Sequence, residues 1–151
     1  MLRDPTNAIP KILRYVAALF VLTSGMVHLL LWLQSYRIVP IIGPLFATNF
    51  FAAFVIGLGL IIWPKGGFAV LGLAFSLGTL TAFVVAATDG LFNFKASWSP
   101  YALVAAISEV SAAISLLAWL ALSRPKRRSA VLGDRIVFPD QQGSNSMRRS
   151  A

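Results

Sequence analysis

Tyr101–Leu122 reads YALVAAISEVSAAISLLAWLAL, and this stretch decides the fold. It contains one charge, Glu109, among Ala, Val, Leu, Ile, Ser, Trp and a leading Tyr. At about 1.5 Å per residue, a helix of this length crosses the roughly 30 Å hydrocarbon core of a bilayer. Lipid offers the backbone no partners, so an uninterrupted apolar run of this kind is read as a spanning helix. A carboxyl inside it is costly and marks, by default, a site or a partner.

Three further runs have the same character: Tyr15 to Leu33, Pro44 to Trp63 and Phe68 to Thr88. The composition agrees. Of 151 residues, 58% are hydrophobic and only 12% charged, with a mean hydropathy of +0.78. Soluble domains carry about 25% charged residues, so the chain belongs to the membrane class. It has no cysteine, which excludes disulfides, thiolate metal sites and dithiol redox chemistry. The first run follows Lys11 and Arg14 as a secretory signal would. It is too long for one and shows no small-residue cleavage site, so it reads as a retained helix.

The links are short: Gln34–Gly43, Pro64–Gly67 and Asp89–Pro100. Short links favour antiparallel neighbours, giving an all-α bundle of four transmembrane helices running up-down-up-down. Asp89-Gly90 reads as the stop of the third helix and Ser99-Pro100 as the start of the fourth. Trp32, Trp63, Trp98 and Trp119 fall near helix ends, where interfacial anchoring is expected. The expected division is a cytoplasmic segment over residues 1–14, a transmembrane domain over 15–123 and a tail over 124–151. Rich in basic and small polar residues, the tail is expected to be disordered.

Thirteen Lys/Arg against five Asp/Glu give a net charge of +8 and a pI near 10.9. The excess lies at the ends of apolar runs, where membrane topology explains it better than nucleic-acid binding does. With both termini cytoplasmic, all Lys and Arg except Arg37 and Lys95 lie inside, so the positive-inside rule selects that orientation. Arg124, Lys126, Arg127 and Arg128 would then meet anionic headgroups of the inner leaflet. The expected location is the inner membrane of a bacterial cell, with assembly into a homo-oligomer or a larger membrane complex.

Small-residue stripes suggest where helices approach closely. They are Ala74, Gly78, Ala82 and Ala86 on the third helix and Asn49, Ala53 and Gly57 on the second. The fourth has Ala105, Glu109 and Ala113; the first has Ala17, Val21, Gly25 and Ser24 beside His28. Counted by helical rise from the outer ends, Glu109, Thr81, His28 and Asn49 lie roughly 9 to 13 Å deep. They form a candidate polar layer, with Asp89 at its mouth. Glu109 and His28 as a neutral acid–imidazole pair can be buried and can exchange a proton. The bland alternative is a hydrogen-bonded fastener between the first and fourth helices.

A haem with two histidine ligands needs more than the one His present. No HExxH or Glu-x-x-His spacing suggests a metal, and no GxSxG or phosphate loop suggests an enzyme, so no cofactor is expected. The stretches Ser24–His28, Gly43–Asn49 and Asp89–Val110 resemble small four-helix integral membrane proteins of bacteria described as uncharacterised. The resemblance covers about Tyr15–Ser123 and implies a fold but no activity. Small multidrug transporters also carry four helices and one membrane carboxylate; theirs lies in the first helix, this one in the fourth. The first expectation is therefore a non-catalytic accessory or structural membrane subunit. The alternative is a small proton-coupled transporter, working as a dimer, with Glu109 and His28 as its proton site.

Overall fold

A computed structural model describes residues 8–123. The tail and its basic cluster Arg124, Lys126, Arg127 and Arg128 lie outside the described residues, as do positions 1–7. Four α-helices carry the fold: α1 (Ala8–Gln34), α2 (Ile42–Ile62), α3 (Gly66–Thr88) and α4 (Pro100–Leu122). All four are long and apolar enough to span a bilayer. Large apolar side chains such as Leu19, Phe51, Val55, Val70, Ile107 and Ile114 point outward, as helices solvated by lipid tails require.

The helices form a ring in chain order. α1 has the most extensive contacts, with α2 on one side and α4 on the other; α3 leans on α4 and touches α2 least. Two links, residues 35–41 and 89–99, meet at one end of the bundle, called here the two-link end. The tight turn at Trp63–Lys65 marks the other.

Local sequence explains the boundaries. α4 starts where Ser99 caps it, its hydroxyl accepting from the Ala102 amide at 3.2 Å, with Pro100 in the first turn. α3 stops at Asp89, and Gly90 follows at φ +86°, a left-handed conformation glycine adopts without a Cβ penalty. The link then folds back through a reverse turn in which Phe92 and Asn93 have positive φ, pairing Leu91 with Phe94. The Ala96 amide donates to the Ala86 carbonyl at 2.9 Å, tying the link down onto α3. A short 3-10 turn, Tyr36–Ile38, leads from α1 towards α2.

α1 begins at Ala8, ahead of Tyr15, so Lys11 and Arg14 belong to the helix. Pro10 in the opening turn does not obstruct it, because the amides there lack helical partners anyway. Arg14 is 7% exposed; it donates from Nη2 to the Tyr15 hydroxyl at 3.1 Å and lies 4.8 Å from that ring. A long aliphatic stem lets such a charge lie along apolar surface.

The core is built from small residues at helix crossings. Ala17, Ala18 and Val21 of α1 meet Ala112, Leu116 and Trp119 of α4 in one buried cluster with Ala53, Ile56, Leu60 and Ala69. A Cβ on Gly25 would lie 2.5 Å from Ala53 Cβ, so only glycine allows α1 and α2 to approach so closely. Trp119, expected at the interface, is 6% exposed and packs in this core instead. Its position near a helix end matters less than its place on the face turned towards α1.

α3 departs from its expected packing. Ala74, Gly78 and Ala82 are exposed, and of that stripe only Ala86 is buried. The inward face carries Ala69, Gly72, Ser76 and Ala86, with half-buried Thr79 and Phe83 between. Residues four apart drift by about 40° per step around a helix with about 100° per residue. A line of four such positions leaves one face for another, whereas alternating steps of three and four stay on it.

Candidate functional site

Glu109 sits halfway along α4 and is 2% exposed. Its neighbours on that face, Ala105, Ala112 and Ala113, are all small, which lets α1 come close. The facing residue is Ser24, which is 0% exposed. The Ser24 hydroxyl donates to Glu109 Oε1 at 2.9 Å, a buried hydrogen bond between two helices far apart in sequence. Gly25 beside it permits the approach of α2 on the adjoining side.

His28 lies one turn further along α1. Its Nδ1 is 2.8 Å from the Ser24 carbonyl oxygen. A carbonyl only accepts, so Nδ1 carries the proton in this contact, and Nε2 of the neutral ring is left as an acceptor. Ser24 therefore joins both groups, its side chain to Glu109 and its backbone to His28. The two do not hydrogen-bond directly; they line one small chamber of about 60 Å³. That volume is enough for a water or two where polar partners exist.

Thr79 of α3 completes the polar group. Its hydroxyl donates back to the Phe75 carbonyl at 2.8 Å, and it faces the Glu109 carboxyl without closing a short bond to it. With its one proton engaged, the Thr79 oxygen offers lone pairs towards the chamber. Among the described residues no cationic side chain pairs with Glu109. The chamber continues past Ala102, Ala105 and Ala106 to Ser97 and Ser99, at the two-link end.

Above the chamber lies a chain of rings. His28 packs against Phe46 at 5.1 Å, Phe46 stacks on Tyr36 at 4.9 Å, and Phe94 meets the Tyr36 ring edge-on at 5.4 Å. These rings come from α1, α2 and both links, so the cap exists only in the assembled bundle. Trp98 stands edge-on to Phe83 at 5.0 Å beside it. Offset and edge-on aromatic pairs add about 0.5–1.5 kcal/mol each beyond area burial.

A second, larger cavity of about 230 Å³ opens between α2 and α3. The two helices touch near their turn, where Trp63 stacks on Phe68 and Gly72 admits Ile56 and Leu60. Towards the two-link end they part. His28, Asn49 and Thr79 lie in this cleft among otherwise apolar side chains.

The residues expected to form the polar layer thus divide. Glu109 and His28 share the chamber, and Asn49 faces the adjoining cleft with His28. Thr81 is exposed and donates back to the Leu77 carbonyl at 2.7 Å, as isolated threonines in helices commonly do. Asp89 is exposed, accepts from the Thr88 hydroxyl at 3.1 Å and lines neither cavity. Ser24 and Thr79 take the places those two were expected to fill. Among the described residues, no three His, Cys, Asp or Glu side chains gather as a metal site would require. No protein-family model matches the chain, and neither a curated protein nor a solved structure gives a significant match.

Proposed function

We propose that the protein is a small proton-linked carrier of the bacterial inner membrane, with Glu109 holding the exchangeable proton. Both termini face the cytoplasm in this reading, because that orientation keeps nearly all Lys and Arg inside. The two-link end, and with it the chamber, then faces outward. The observation carrying the proposal is the Ser24–Glu109–Thr79 arrangement. An ionised carboxyl without a cation is expensive in such a place. A protonated one keeps the Ser24 hydrogen bond and needs no cation. His28 Nε2, in the same chamber, can receive the proton on its way to or from Ser97 and Ser99.

The test is uptake of a panel of labelled lipophilic compounds into vesicles containing the protein, under an imposed pH gradient. Accumulation of one class that follows the gradient and disappears in Glu109→Gln is expected. Uptake that ignores both the gradient and the substitution would leave Glu109 a packing role only.

One observation favours a second reading, an accessory or structural subunit. Ala74, Gly78 and Ala82 leave a line of small residues exposed on α3, a surface that another membrane helix can approach closely. Under this reading a partner co-purifies with the wild-type chain, and bulky substitution along that line releases it.

A further inference from the structure

Glu109 does not line the cleft between α2 and α3, while His28 and Thr79 border both the cleft and the chamber. We infer that the cleft is a binding site for a lipid-soluble aromatic alcohol, with the hydroxyl held by His28 and Asn49 and the ring among Phe46, Phe83 and Phe94. Four observations support this assignment.

The first is size. About 230 Å³ is somewhat below the range typical of drug-sized ligands and suits a single substituted ring. A second helix does not fit into it.

The second is the polar pair. His28 Nδ1 is engaged by the Ser24 carbonyl, so Nε2 accepts and selects a ligand that donates. Asn49 is half-buried, and its amide makes no hydrogen bond among the described residues. An amide in hydrocarbon without a partner is costly. A hydroxyl can donate to His28 and accept from Asn49, satisfying both.

The third is the aromatic wall. Phe46, Phe83 and Phe94 come from α2, α3 and the second link, and all three line the same space. Such walls favour a flat ring over a flexible chain.

The fourth is access. The rim residues Leu45, Gly78 and Ala82 are exposed, so the cleft opens sideways into the membrane. A Cβ on Gly78 would meet nothing within 4 Å. A lipid-soluble ligand can enter there, and a chain attached to the ring can leave by the same opening.

His28 serves both this inference and the proposed proton linkage, and the experiment separates them through Glu109, which only the proton linkage needs. Bromine quenches tryptophan on contact, and Trp98 packs on Phe83, which borders the cleft. The full chain in detergent is titrated with 4-bromophenol, with bromobenzene, and with a bromophenol bearing a long alkyl chain. Saturable quenching by 4-bromophenol is expected, with half-saturation about tenfold lower than for bromobenzene, a modest value for the two additional hydrogen bonds to His28 and Asn49. It is lost in Trp98→Phe, and Asn49→Leu, which leaves the His28 bond, cuts the difference between the two probes to about threefold. Gly78→Leu, which fills the cleft from its open rim without a clash at Cβ, abolishes saturation. Glu109→Gln leaves it intact even if all proton-linked uptake is lost. Equal or stronger quenching by the long-chain probe identifies a ring carried by a lipid, and preference for 4-bromophenol identifies a free small molecule. Linear quenching by all probes would overturn the inference. So would Gly78→Leu dissociating a complex of chains while leaving the quenching unchanged.

Discussion

At the scale of single residues, Ser24 links the whole site. One hydroxyl reaches Glu109 and one carbonyl holds His28, so the two titratable groups are oriented by a single turn of α1. Ser24→Ala removes the only short hydrogen bond Glu109 makes among the described residues. Intramembrane hydrogen bonds average about 0.6 kcal/mol, and an unsatisfied buried group costs about 1–3 kcal/mol. A loss of about 1 kcal/mol is expected in unfolding by mixed detergent, with a smaller loss for Ser24→Thr. No loss in Ser24→Ala would show that the contact is not formed in the membrane. Glu109 and His28 were legible in the sequence because each is the rare member of an apolar run. Ser24 and Thr79 were less so, because a hydroxyl in a helix usually bonds its own backbone, as Thr81 does. Only the facing helix distinguishes a serine that reaches across from one that does not.

At the scale of elements, the spacing of small residues decides which helices close and which part. Gly25 lies against Ala53, so Gly25→Leu forces α1 and α2 apart, and a destabilisation of about 1–3 kcal/mol is expected from overpacking. Gly78→Leu, with open space around it, changes stability by less than about 1 kcal/mol. Thermal unfolding of the two variants side by side checks this; equal losses would contradict the assigned faces of α3. The helix limits were legible, since hydropathy, the Ser99 cap and Gly90 mark them directly. The inward face of α3 was not, because that helix is apolar all round and its small residues point to two faces. Steps of four through Ala74, Gly78 and Ala82 lead outward; steps of three and four through Gly72, Ser76 and Thr79 lead inward.

At the scale of the whole molecule, the bundle is closed near the Trp63–Lys65 turn and hollow at the two-link end. In the proposed orientation that hollow end faces outside. The chain has no cysteine, so single substitutions report sidedness without background. In intact cells Lys95→Cys, which is exposed in the second link, is expected to react with a membrane-impermeant maleimide, and Lys65→Cys only after permeabilisation. The reverse pattern would place the chamber on the cytoplasmic side. The up-down-up-down arrangement was legible from link lengths alone. The separation of α2 from α3 was not, because it depends on Phe68 and Trp63 packing at one end while the links gather at the other.

The central claim is that Glu109 carries an exchangeable proton inside the membrane. Infrared spectroscopy of the purified protein in lipid at neutral pH tests it most directly, since aqueous carboxylates do not absorb where a protonated carboxyl does. A carboxylic-acid C=O band that shifts on transfer to D2O and is missing from Glu109→Gln is the expected result. A spectrum without that band, or a band that survives the substitution or does not respond to D2O, would contradict the account.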